Sequence, residues 1–116
     1  MNLPDYGNLL RIFIGESDKY QGKLLYQWVV LKAREYGLAG ATVIRGMMGY
    51  GANSRIKTTS ILRLSEDLPV VIEMIDTRQK LEDFLEIVDP VLKGGLVTFE
   101  KMHIRMYRST RNIDSA

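Results

Sequence analysis

Three clusters of residues in this chain have the types and spacing to hold an anion. The first is Gly46-Met47-Met48-Gly49-Tyr50-Gly51-Ala52-Asn53-Ser54-Arg55-Ile56-Lys57, three glycines in six residues followed by two cations. Glycine lets a ligand or another backbone come close to main-chain N–H groups, and Arg55 and Lys57 place positive charge beside them. The second is Gly94-Gly95, whose N–H groups could face a phosphate. A helix C-cap explains the same pair. The third is the last apolar run. Period-2 alternation there groups Phe99, Lys101, His103, Arg105 and Tyr107 on one strand face and Met102, Ile104 and Met106 on the other. The first group makes a cationic, aromatic surface suited to an anionic ligand with a planar ring, and the second group suits packing under helices. Each cluster also has a purely structural reading: a hairpin end, a cap, and an exposed or oligomer-facing strand.

Covalent chemistry finds little support. His103 is the single histidine and there is no cysteine, which excludes thiolate catalysis, disulfides and His- or Cys-rich metal sites. No serine lies in a G-x-S-x-G elbow, and no Walker-type G-x-x-x-x-G-K-[ST] string exists. Glu82, Asp83 and Glu86 fall on the solvated face of a helix. The chain reads as a non-enzyme with no metal and no cofactor.

The elements that must position these clusters follow from periodicity. Leu9 to Ile14 is a first strand rich in branched and aromatic residues. Gly15 to Lys23 is a polar connection, and its charges from Glu16 onward could contribute to a site. A helix over about Leu24–Tyr36 places Leu25, Trp28, Val29, Ala33 and Tyr36 on one face, with Gly37 as its stop. A second strand runs from Ala41 to Tyr50. A third runs from about Ile61 to Ile75, interrupted by Ser65-Glu66-Asp67-Leu68-Pro69 and strongest over Val70–Ile75. Pro69 marks a bulge, an edge or a strand start there. Asp76 and Gln79 form a capping box for a second helix that aligns Leu81, Phe84, Leu85, Val88 and Leu92. Pro90 predicts a kink or break near 88–90. The last strand spans Leu96 to Tyr107, and a polar, mobile tail covers 108–116.

The order β-α-β-β-α-β gives an α+β, ferredoxin-like sandwich: a four-stranded antiparallel sheet with both helices on one face. The uncovered face would carry apolar side chains such as Phe13 and Phe99, so self-association is expected. A chain of 116 residues fits a single domain, with 8–107 as its core. Sixteen Lys and Arg against fourteen Asp and Glu give a net charge of +2, which disfavours a dedicated nucleic-acid binder. The start of the chain lacks a secretory pattern and no apolar run is long enough to span a bilayer. A cytoplasmic protein with no membrane insertion is expected.

Taken together, several strings resemble the PII-like domain-of-unknown-function family 190. They are Leu10-Arg11-Ile12-Phe13-Ile14-Gly15-Glu16-Ser17-Asp18-Lys19-Tyr20, Gly22-Lys23, Gly37-Leu38-Ala39-Gly40-Ala41-Thr42-Val43, Arg45-Gly46, Gly49-Tyr50-Gly51 and Leu64 to Glu73. The resemblance implies a ferredoxin-like subunit, a homotrimer and kinship to PII signalling proteins, which bind adenine nucleotides between subunits. It implies ligand-contacting roles for Thr42, for Gly49, Tyr50 and Gly51 at a loop base, for Gly94 and Gly95, and for His103 and Arg105 on the last strand. Two departures stand out. Ala52-Asn53 replace the Arg-Gln of a PII loop, which argues against 2-oxoglutarate and magnesium sensing. Leu96-Val97 follow Gly95 where PII has a phosphate-binding lysine, which argues against ATP itself. The expected function is a signalling protein that binds a small anionic metabolite, with an adenine nucleotide as the named candidate, and changes the loop after the second strand. A protein partner would dock on residues 52–59. The alternative is a trimeric interaction module with no small-molecule ligand.

Overall fold

The computed structural model describes residues 5–51 and 67–110. The first strand, β1 (Tyr6–Gly15), leads through a small hairpin into helix α1 (Leu25–Tyr36). Strand β2 (Gly40–Arg45) follows, then β3 (Pro69–Asp76), helix α2 (Arg78–Val88) and strand β4 (Leu96–His103). The sheet order is β2-β3-β1-β4 and every pairing is antiparallel. This is the βαββαβ sandwich expected from the sequence.

The core explains why. Leu10, Ile12 and Ile14 of β1 and Val70, Ile72 and Met74 of β3 alternate onto one sheet face, where Leu25, Val29, Ala33, Leu81, Phe84 and Val88 of the two helices cover them. Burying a side chain of this kind is worth about 1.5–3 kcal/mol. Gly37 closes α1 in a left-handed conformation, its N–H donating to the Ala33 and Arg34 carbonyls. Helix α2 stops at Val88, and a single 3-10 turn over Asp89–Val91 carries Pro90, as the proline requires.

Several boundaries differ from expectation for identifiable reasons. The polar connection after β1 contains a tight hairpin that pairs Lys19 with Leu24 and Tyr20 with Lys23. Gln21 and Gly22 both adopt positive φ at its tip, 51° and 79°, the pattern of a two-residue type I′ turn. The N-cap of α2 is Thr77, whose hydroxyl accepts the Lys80 N–H at 3.3 Å, and not Asp76. Asp76 faces the core side and is 2% exposed. Gln79 donates forward to Asp83 instead of reaching back. Strand β2 ends at Arg45 and not at Tyr50: the next residue, Gly46, stands opposite Pro69, which has no N–H to return the ladder bond. The Gly46 N–H donates to the Pro69 carbonyl at 2.7 Å, and a Cβ on Gly46 would lie 2.8 Å from the proline ring. Pro69 is the first residue of β3, one of the three roles expected of it. The earlier part of the expected third strand, residues 61–66, lies outside the described residues, as do Arg55, Lys57, the rest of the 52–59 loop and most of the polar tail.

The last strand has the opposite facing to that expected. Pairing with β1 sets Phe99 beside Leu10 and His103 beside Tyr6, so Phe99, Lys101 and His103 lie on the helix side. Phe99 packs against the core, and the Arg78 guanidinium of α2 sits 4.4 Å from its ring centre. Met102 lies on the uncovered face, opposite Gly7. The strand also ends at His103. Ile104 N–H donates to the Asp5 carbonyl at 2.6 Å, and the Tyr107 hydroxyl donates to the Ala39 carbonyl at 2.7 Å. The first bond continues the β1–β4 hydrogen bonding by one residue, and the second brings Tyr107 across the end of the sheet to the residue before β2.

The uncovered face is ordered in rows. Ile44, Val71, Phe13 and Leu96 form an apolar row across all four strands. The next row is Thr42, Glu73, Arg11 and Thr98. Arg11 bridges Glu73 at 2.9 Å and Glu100 at 2.8 Å. Its hydrogen bond to Glu73, then that to Glu100, raise the guanidinium pKa above its ordinary value.

Candidate functional site

At the end of the sheet where β1 stops, four backbone segments converge on a cavity of about 570 Å³. That volume falls within the usual range for a small-molecule pocket, roughly 300–1,000 Å³. The floor is the end of β1 at Phe13, Ile14 and Gly15. One wall is Gly49, Tyr50 and Gly51; another is Gly94 and Gly95. The structure therefore joins two glycine clusters that are more than forty residues apart in sequence.

Each wall has a physical cause. Gly49 lies over the Pro69 ring, where an added Cβ would sit 3.1 Å from Cγ. The Gly46 hydrogen bond to Pro69 and a 2.9 Å ion pair between Arg45 and Glu16 hold the segment before it. Tyr50 is 72% exposed, so its ring is available as an open aromatic surface. On the opposite wall Gly95 takes a φ of 114° and runs against β1, where a Cβ would collide with the Phe13 carbonyl. That approach brings the Gly94-Gly95 backbone to the pocket edge. At Gly51 no described residue lies where a Cβ would be.

The remaining residues singled out from sequence are elsewhere. Thr42 is exposed in the middle of β2 on the uncovered face, in register with Glu73. His103 lies at the far end of β4 from Leu96, which lines the pocket. Seven residues of strand separate them, about 23 Å at the usual rise. Arg105 lies beyond that again and is exposed. The ring of His103 stacks at 5.1 Å on Tyr6, and Lys101 reaches the same tyrosine ring at 5.2 Å. Within one chain, then, the glycine walls meet and the last-strand cations do not join them.

The pocket also holds charged residues that the glycine patterns did not single out: Asp18, Lys19, Asp67 and Lys93. Asp18 Oδ2 accepts the Gly15 N–H at 3.0 Å. Asp67 Oδ1 accepts the Ser17 N–H at 3.1 Å and its hydroxyl at 2.8 Å. Lys93 precedes Gly94 directly, a signal that adjacency in sequence could have given. Among the described residues no group of His, Cys, Asp and Glu could hold a metal ion, and no helix is long and apolar enough to cross a membrane.

Comparison with known proteins agrees with this architecture. The model of the DUF190 family, described as uncharacterized ACR, matches residues 7–104. A UPF0166 protein of Aquifex aeolicus is 40% identical over 99 residues, covering 83% of this chain and 90% of the relative. A UPF0166 protein of Methanocaldococcus jannaschii is 34% identical over 97 residues, covering 83% and 89%. Among solved structures, CPII of Thiomonas intermedia K12 bound to ADP, AMP and acetate superposes with a TM-score of 0.63 at 14% identity, covering 87% of this chain and 90% of that one. A putative PII-like signaling protein of Thermus thermophilus gives 0.58 at 18% identity, covering 85% and 89%. At such identities the likeness is one of fold.

Proposed function

The chain belongs to the DUF190 family, and from that premise we propose that it is a PII-like regulatory protein, without enzymatic activity, that binds a small anionic metabolite. An adenine nucleotide is the ligand class best supported. The observation that carries the reading is the meeting of Gly49-Tyr50-Gly51 with Gly94-Gly95 around one cavity. The glycine backbones suit a phosphate, and the exposed Tyr50 ring suits a planar base. The similar fold of CPII, solved with ADP and AMP, supports the same class.

The pocket of one chain lacks His103 and Arg105. A homotrimer supplies them if the far end of β4 in one subunit abuts the pocket of the next. The exposed apolar side chains Ile44 and Leu96 give such an assembly something to bury. Ligand binding would then change the loop that continues from Gly51 and alter the surface shown to a protein partner. Calorimetry with ATP, ADP, AMP and cyclic nucleotides is the direct test. Heat from at least one is expected; none from any, at concentrations that keep the oligomer, refutes the reading. Light scattering is expected to give three times the chain mass, and a monomer would leave the pocket without its second set of cations.

One observation favours a second reading. Met47, at 93% exposure, together with Met48 and Tyr50 forms an apolar surface next to the pocket, as a protein-docking module without a ligand would have. In that case partner binding persists unchanged when every nucleotide is absent.

A further inference from the structure

Two lysines line the pocket, each from a different segment of the chain. Lys19 comes from the hairpin before α1 and Lys93 from the turn before β4, and both line the cavity. Both are exposed, and neither pairs with a carboxylate among the described residues. The carboxylates in the same cavity, Asp18 and Asp67, each commit an oxygen to the turn that follows β1. Asp18 and Asp67 keep their charge in the same cavity, but their oxygens are engaged by the turn and neither lysine contacts them, so both ammonium groups have donors left for a ligand beside the glycine backbone.

Both are also presented by constrained segments. Lys19 opens the type I′ hairpin, whose Tyr20 ring packs edge-on against Trp28 of α1 at 5.1 Å. The Leu25 N–H donates to the Asp18 carbonyl at 2.8 Å and closes the hairpin onto the helix. Lys93 lies between Leu92, whose N–H donates to the carbonyls of Val88 and Asp89, and the Gly94-Gly95 segment held against Phe13. Lysine is a compact point charge with three rotatable donors on a flexible stem. Two of them, carried by separate constrained segments that line one cavity, can converge on a small oxyanion.

We propose that Lys19 and Lys93 are the anion-contacting side chains that a subunit contributes to its own pocket, and that together they hold a phosphate group of the ligand. This rests on the nucleotide-binding reading above and assigns its phosphate end. Last-strand cations from a neighbouring copy would add to this clamp but not replace it.

The test compares AMP with adenosine by calorimetry on the full chain and on Lys19→Met, Lys93→Met and Lys23→Met. Methionine keeps an apolar stem and removes the charge. Lys23, on the other strand of the hairpin and not in the pocket, is the charge-matched control. Each pocket variant is expected to weaken AMP by about tenfold, the loss of one charge-assisted contact, with adenosine and the control unchanged. Unchanged AMP affinity in both pocket variants overturns the proposal. So does an equal loss for adenosine, which would mean that pocket shape and not charge had been altered. If the wild type binds neither these two nor any of the nucleotides in the calorimetric series above, the nucleotide reading fails separately, and inorganic phosphate titrated into isotope-labelled protein then decides the lysine clamp. Shifts of the Gly94 and Gly95 amide signals that vanish in Lys93→Met sustain it; no shifts overturn it.

Discussion

Gly95→Ala is expected to destabilise the protein by about 2–5 kcal/mol, while Gly51→Ala is expected to change stability by less than about 0.5 kcal/mol. Both glycines line the same pocket, and sequence alone treats them alike. The difference is in the backbone. Gly95 has a φ of 114°, which an L side chain rarely adopts. Its missing Cβ is also the space occupied by the Phe13 carbonyl. That neighbour is main chain in the central part of the sheet and cannot swing away as a side-chain tip can. Alanine would therefore either separate the start of β4 from β1 or displace the turn that carries Lys93 and Gly94. Either way the pocket loses one wall, so ligand binding should fall together with stability. At Gly51 nothing among the described residues lies within 4 Å of the point a Cβ would occupy, and φ is not positive. Thermal unfolding of the two variants checks this. Equal midpoints would mean that Gly95 does not approach β1 as described.

The fold was legible because its periods are clean. Alternating Leu10, Ile12 and Ile14 and the helical series from Leu25 and Leu81 admit few other arrangements. The error on the last strand shows what period does not contain. Alternation sorts Phe99, Lys101 and His103 from Met102 and Ile104, but it does not give the phase. The charged residues suggested that their set faces outward. The register with β1 instead places Phe99 over the core, while Lys101 and His103, nearer the strand end on the same face, remain exposed. One aromatic ring in the middle of the strand outweighed two polar residues at its end, because only the middle is covered.

The site was half legible for a related reason. Glycine clusters announce close approach but not what approaches. At Gly46 and Gly49 the neighbour is Pro69, and at Gly95 it is Phe13. These glycines shape the walls, and a ligand is needed to explain only the space between them. Lys19 belongs to the polar connection whose charges were expected to be able to reach a site, but it could not be singled out there because two-residue strands are too short to show a period. Its hairpin is recognisable only from the positive φ of Gln21 and Gly22.

Asp76→Ala is expected to cost about 2–4 kcal/mol, lowering the unfolding midpoint by roughly 10–20 °C for a domain of this size. Asp76 is the one buried charged residue among those described. Oδ1 accepts the Thr77 N–H at 2.7 Å, and Oδ2 accepts the Ala39 N–H at 2.9 Å. Lys80 lies 3.5 Å from Oδ2 and donates to the Gly37 carbonyl at 2.8 Å. One carboxylate thus ties the turn before β2 to the first turn of α2. Removing it orphans two backbone donors, each worth about 1–3 kcal/mol when left buried and unpaired. Lys80 adds less, because its side chain is 40% exposed and can turn to water. Asp76→Asn retains one acceptor oxygen and offers an amide where Ala39 or Thr77 also offers a donor. It should therefore fall between wild type and alanine. Lys80→Met should cost less than either, about 1 kcal/mol or below. The order alanine, asparagine, Lys80→Met separates a backbone-capping role from an ion-pair role. If Lys80→Met instead matched Asp76→Ala, the ion pair and not the two N–H groups would be what holds the turn to the helix.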